Sequence, residues 1–282
     1  LSADAVGETD ELNRYARDRA KLDVVVFTNN DFYNVPLTQY EYELGNLFAA
    51  SHSIPGEFLS LPGYEWTSRI PGVTTASLSD SGNWLPPYRN RSYANHRSVI
   101  YPPASGPLVH FTEVGNDIAK LNEAVAKAGG ITLSQHPSFK LSGHEVEVGL
   151  ELTSGWSNYI ARNPKLFHGS LDQGLRPNGN RLGFVANGDS HRRAPGLSGA
   201  LTGIYAEELT ADAILDALRQ RRCFATSGSQ IFLDARANNA FMGQETVATN
   251  GRAKLTLHAI GTRDIKDAVL IRDGQEVYRA SA

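Results

Sequence analysis

Cysteine is nearly absent from this chain. Cys223 is alone among 282 residues, so no internal disulfide can form. A lone cysteine does not decide the compartment, since secreted proteins can also lack disulfides. Long apolar runs are missing too. None approaches the roughly 20 residues that a membrane-spanning helix requires, which excludes that class. Charge of one sign is absent: 27 Lys and Arg stand against 30 Asp and Glu, leaving −3 and a pI of about 6.3. Nothing there marks a nucleic-acid binder. There is no internal repeat, no low-complexity stretch and no signal-peptide pattern, and the chain opens at Leu1 without an initiator Met. The expectation is a cytoplasmic protein, with the N-terminus trimmed of upstream residues.

What is present suits a globular enzyme-sized fold. A hydrophobic fraction of 41% and a charged fraction of 20% are ordinary for a packed domain. Strand and helix patterns alternate. Leu22 to Phe27 is an apolar, β-branched run that reads as a buried strand. Thr38 to Ala50 and Glu113 to Ala128 read as helices, the second stopped by Gly129-Gly130. Short strands are expected at Phe58–Leu61, Ser98–Tyr101, Ile131–Leu133, Val146–Leu152, Leu182–Ala186 and Leu201–Tyr205, with Thr210 capping a further helix. Repeated β-α units argue for a parallel sheet, open or closed into a barrel. From about residue 230 the pattern turns all-β, with a hairpin signal at Asp273-Gly274. The expected division is residues 1–229 as an α/β domain and 230–282 as a β-rich segment, the start of a β-sandwich.

Carboxylates and imidazoles cluster at the ends of these runs, where ligands gather in α/β folds. Glu65 lies in Gly63-Tyr64-Glu65-Trp66-Thr67, His136 in Ser134-Gln135-His136-Pro137, and Asp189 and His191 in Gly188-Asp189-Ser190-His191. Carboxylate plus imidazole donors suit zinc, manganese or iron. Asp189 and His191, two apart, face one ion if the backbone there is extended; the plain alternative is a turn, which Asp favours unaided. Glu65 is either a bridging ligand or a satisfied half-buried carboxylate. His96 precedes its apolar run, so its use as a ligand requires a reversed strand or a loop folded back. Arg192 and Arg193 are a solvated basic pair or a grip on an anionic substrate oxygen, and Lys140 is a similar candidate. Residues Ser68 to Arg97, rich in Pro, Gly, Ser and Asn, read as a long loop serving as a lid or a substrate wall. His52, His110, His144, His168 and His258 read as surface or structural, and Cys223 as a buried core thiol.

Taken together, Gly63-Tyr64-Glu65-Trp66-Thr67, His96-Arg97-Ser98-Val99, Gly188-Asp189-Ser190-His191 and Arg222-Cys223-Phe224-Ala225-Thr226-Ser227-Gly228 resemble the DUF3604 branch of the PHP (polymerase and histidinol phosphatase) superfamily, from Leu1 to about Gln244. The resemblance implies an α/β fold, a distorted (β/α)7 TIM-like barrel, to which the residue pattern adds a truncated all-β C-terminal extension. It implies two or three divalent ions, Zn, Mn or Fe, at the carboxyl face. By similarity Glu65 bridges the first two ions, His96 and His136 complete the second, Asp189 binds the first, and His191 binds the third, with Asp4. Two departures stand out. The family's opening His-x-His is not in the chain, and Asn30, in Thr28-Asn29-Asn30-Asp31, stands where the family carries a metal-binding His.

These readings lead to a metal-dependent hydrolase of phosphate esters, a phosphomonoesterase or phosphodiesterase. Glu65, Asp189 and His191 serve the chemistry, and Arg192, Arg193 and Lys140 serve a small anionic substrate. Neither a nucleic acid nor a membrane is an expected partner. Two alternatives remain open at this level: hydrolysis of a sulfate, phosphonate, amide or lactone on the same metals, or a PHP-like module that binds without catalysis.

Overall fold

Three consecutive valines make the first strand. Their β-branched side chains lose little on entering an extended backbone, and they form β1 (Val24–Val26). The computed structural model describes residues 9–31, 36–69, 93–103, 106–115, 117–135, 141–155, 181–190, 194–197, 199–273 and 275–281. Before β1 comes α1 (Thr9–Arg14), which continues as one wide turn through Arg19. After β2 (Asn29–Asp31) comes α2 (Gln39–His52). Thr38 closes a capping box with Glu41 and sets where α2 starts. His52 Nε2 lies 2.8 Å from Asp10 and pins α2 to α1, which is a structural role.

Next come β3 (Leu59–Leu61), β4 (Gly63–Arg69) and β5 (Tyr93–Ile100). The helix expected over Glu113–Ala128 is two helices, α3 (Phe111–Val114) and α4 (Ile118–Lys127). Gly115, in the left-handed region at φ +65°, ends α3, and Asp117 then caps α4 through the Ala119 N–H at 2.9 Å. The remaining strands of the sheet are β6 (Ile131–Gln135), β7 (Glu147–Ser154) and β8 (Gly183–Asn187).

Six strands share one mixed sheet in the order β2-β4-β5-β6-β7-β8. β5 runs against both neighbours, and the other pairings are parallel. β1 pairs parallel with β3. β9 (Leu201–Ile204) and β10 (Cys223–Thr226) form an antiparallel pair, connected through α5 (Ala211–Arg219). Thr202 Oγ1 ties β9 to β8, accepting from the Ala186 N–H and donating to the Ala186 carbonyl. Among the described residues the ladders do not close into a ring, so the fold is a mixed α/β sheet rather than a demonstrated barrel. Antiparallel β5 is what an all-parallel reading misses.

Tyr64, Trp66 and Val99 on one face of the sheet pack against Leu121 and Val125 of α4. Leu133 and Val185 pack with Ile214 and Leu218 of α5 and with Cys223. Each such side chain contributes about 1.5–3 kcal/mol on full burial. Burial pushes the Cys223 thiol up to about 12, in keeping with a core thiol. The last segment is all-β: β11 (Phe232–Ala237), β12 (Ala240–Phe241) and β13 (Leu255–Ile260) form one sheet, and β14 (Asp267–Arg272) and β15 (Gln275–Ser281) form a hairpin. It docks through Tyr205, whose hydroxyl donates to the Leu233 carbonyl at 2.6 Å and whose ring meets Phe241 edge-on at 4.9 Å.

Candidate metal centre

Register builds this site. In the antiparallel β4–β5 ladder Glu65 lies opposite Ser98 and Thr67 opposite His96. β6 extends the same two rows with Leu133 and Gln135. Side chains alternate across a strand, so these residues share one face and Trp66, Arg97 and Ser134 share the other. β2 brings Asn30 alongside Glu65. Ser134 opposes Leu150 in the parallel β6–β7 pair, which brings Glu151 to the level of Gln135.

Two of the expected ligands meet here. His96 Nδ1 is 2.8 Å from Glu65 Oε1 and 2.9 Å from Thr67 Oγ1. Glu65 is 6% exposed, His96 7% and Thr67 0%. A carboxylate so deeply buried needs a partner, because desolvating an unpaired charge is costly. The contact of carboxylate and imidazole fixes the ring of His96 against Glu65. Around the pair, Gln135 Nε2 donates to Ser98 Oγ at 2.6 Å, and Asn187 Nδ2 donates to Glu151 Oε1 at 3.1 Å.

Two sequence expectations change. Glu65 does not close the strand over Phe58–Leu61; Pro62 separates the runs, and Glu65 sits inside β4. His96 is a strand residue too, and β5 supplies the reversed strand that its position required. The expected loop from Ser68 to Arg97 is therefore strand at both ends, through Arg69 and from Tyr93.

Asp189 follows β8 and lines a cavity of about 800 Å³ together with Ser98, Gln135, Asn187 and Ser190. Glu65 and His96 do not line that cavity, but their ladder neighbours Ser98 and Gln135 do. Asp189 has φ +42°, in the left-handed region. The backbone is not extended there, so two-residue spacing alone does not turn Asp189 and His191 toward one ion. Asp4, His136, Lys140, His191, Arg192 and Arg193 lie outside the described residues. Among the described residues no three His, Cys, Asp or Glu side chains gather where they would hold a metal. The chemistry of the donor set that is described, one carboxylate against one imidazole, fits two ligands of a divalent ion.

Sequence reasoning passed over several polar neighbours. Thr67, Ser98, Gln135, Glu151 and Asn187 carry a period-two signal inside strands otherwise apolar, and that signal was available. His110, surface or structural by its sequence setting, has Nδ1 2.8 Å from Asp31 Oδ1. Asp31 also accepts the Leu37 N–H at 3.1 Å. Burial raises the Asp31 carboxyl above its ordinary value, against the opposing pull of His110 and Leu37. On the face behind His96, Arg97 and Glu147 form a fully buried ion pair, Nε to Oε1 2.6 Å. Complete burial pulls the Arg97 guanidinium down, and Glu147 opposes the shift.

Comparison with known proteins adds four similarities. Residues 158–260 match the sequence profile of the family described as "Protein of unknown function (DUF3604)". An uncharacterized protein of Chlamydia pneumoniae is 31% identical over 291 residues, covering 94% of this chain and 44% of its own. One of Chlamydia trachomatis is 24% identical over 270 residues, covering 86% and 40%. The chain thus spans less than half the length of these curated relatives. A two-domain Bacteroides vulgatus protein containing a predicted PHP-like metal-dependent phosphoesterase has a similar fold, with a TM-score of 0.52 at 14% identity, covering 95% of this chain and 86% of that one.

Proposed function

We propose that this chain belongs to a divalent-metal-dependent hydrolase of phosphate esters, acting on a small anionic substrate. The observation that carries the reading is the buried Glu65–His96 contact, a carboxylate and an imidazole on adjacent strands of one sheet face. The DUF3604 match and the fold shared with a protein containing a predicted PHP-like phosphoesterase support placing the chain in the PHP superfamily. On this reading the mixed sheet is part of a distorted (β/α)7 barrel in residues 1–229, with residues 230–282 as a separate β-rich unit.

Glu65 and His96 would hold metal, with Asp189, His136, His191 and Asp4 as further ligands for two or three ions of Zn, Mn or Fe. When bound, such an ion acts as a Lewis acid toward phosphoryl oxygen and acidifies coordinated water. The chain's own residues do the rest. Thr67 Oγ1 and Glu65 Oε1 both contact His96 Nδ1 and so fix the position of the ring. Arg192, Arg193 or Lys140 would neutralise the substrate's anionic oxygens, a task suited to charged donors in a site that excludes water. The cavity beside Asp189 offers room for the group esterified to phosphate.

Elemental analysis of protein purified without chelator tests the reading. Bound Zn, Mn or Fe that is lost in Glu65→Ala, together with turnover in a phosphoester screen, is the expected result. A folded protein that takes up no metal when supplied with it overturns the proposal.

A further inference from the structure

The Arg97–Glu147 pair does more than occupy the core. Both side chains are wholly buried, on β5 and β7, and they lie behind the face that carries His96. Arg97 Nη1 donates to the carbonyl of His96 at 2.8 Å. Glu147 Oε2 accepts from the Ser142 N–H at 2.6 Å and from Ser142 Oγ at 2.8 Å. Ser142 Oγ in turn accepts from Asn122 Nδ2 at 2.8 Å, and Asn122 Oδ1 accepts from Thr132 Oγ1 at 3.0 Å. One guanidinium thus joins the backbone of a candidate ligand to β7, to the segment before it, and through Asn122 to α4 and β6.

A core that needed only volume would be served as well by apolar side chains, since a buried ion pair seldom gains stability over a shape-matched hydrophobic pair. Arg97 is held on two sides, with Nε against Glu147 Oε1 and Nη1 donating to the His96 carbonyl. We infer that Arg97 and Glu147 are positioning residues for the metal centre: they fix the His96 backbone from behind so that its imidazole meets Glu65 in ligating geometry. This rests on the metal-dependent reading proposed above.

The test is calorimetric titration with Mn²⁺ of the unaltered protein, of the double variant Arg97→Met/Glu147→Leu, and of Arg97→Lys. The double variant removes both charges together, so no buried charge is left unpaired; the Ser142 N–H and the His96 carbonyl lose partners, so its melting temperature should fall while the protein stays folded at the titration temperature. Its Mn²⁺ affinity should fall by ~10- to 100-fold, the usual cost of losing an outer support of a ligand. Arg97→Lys keeps the charge but replaces the fork with a single nitrogen. It should bind more weakly than the parent and more tightly than the double variant, and it decides the matter if the double variant fails to fold. Equal affinity in a folded variant and the parent overturns this inference and leaves the metal reading standing. No Mn²⁺ uptake by the unaltered protein overturns the metal reading, and this inference falls with it.

Discussion

His96 has two neighbours at hydrogen-bonding distance of one nitrogen, and they hold it in different ways. Glu65 supplies charge, and Thr67 supplies a short, fully buried hydroxyl that restricts the ring. Thr67→Val keeps the shape and removes that oxygen, so metal affinity should fall by ~10-fold with little change in stability, measured by titration calorimetry beside thermal melts. Asp31 behaves differently. Its carboxyl is raised by burial, so between the ordinary value of 3.8 and its folded value the native state binds more protons than the unfolded state. By linkage, its contribution is fully present below 3.8 and is lost as pH rises through the folded value. Urea melts from pH 3.5 to 7 should therefore show the parent losing ground to Asp31→Asn as pH climbs, and a constant difference would contradict this.

Among the elements, the starts of α2 and α5 are legible in the sequence, and the break at Gly115 and the pairing of β5 are not. Thr38, Asp117 and Thr210 each accept a backbone N–H in the first turn of the helix they start. Such caps are local chemistry and can be read from a few residues. Thr38→Ala should cost about 1 kcal/mol in a denaturant melt, from loss of the capping box at α2. The run Glu113–Ala128 has the periodicity of one helix, but Gly115 at φ +65° divides it. Gly115→Ala should cost about 1 kcal/mol for the same conformational reason. The reversal of β5 is a different case. Its residues pattern the same way whichever direction the strand runs, and only its hydrogen-bonded neighbours set that direction.

Across the whole molecule, the β-rich segment from Phe232 onward meets the rest through Tyr205 and through Arg221, whose guanidinium donates to the Gly243 carbonyl at 2.8 Å. Leu255, Leu257 and Ile271 remain exposed on its strands. Tyr205→Ala removes the hydroxyl and the ring contacts with Phe232 and Phe241 together. Limited proteolysis should then cleave more rapidly after residue 229, with Mn²⁺ uptake unchanged if residues 1–229 form the metal-binding unit.

The sequence by itself determined the alternation of strand and helix, the cap at Thr210, the all-β character after residue 230, and the type of donor available for a metal. Those follow from side-chain periodicity and local backbone chemistry. Only the tertiary structure decided that Glu65 and His96 touch, because they lie on different strands and an antiparallel register, not spacing, brings them together. It likewise decided that Asp189 leaves the extended conformation at φ +42°, and that Arg97 and Glu147 pair behind the site. Contacts between residues distant in sequence depend on register and on which face each strand buries, and neither is encoded at the residue that displays it.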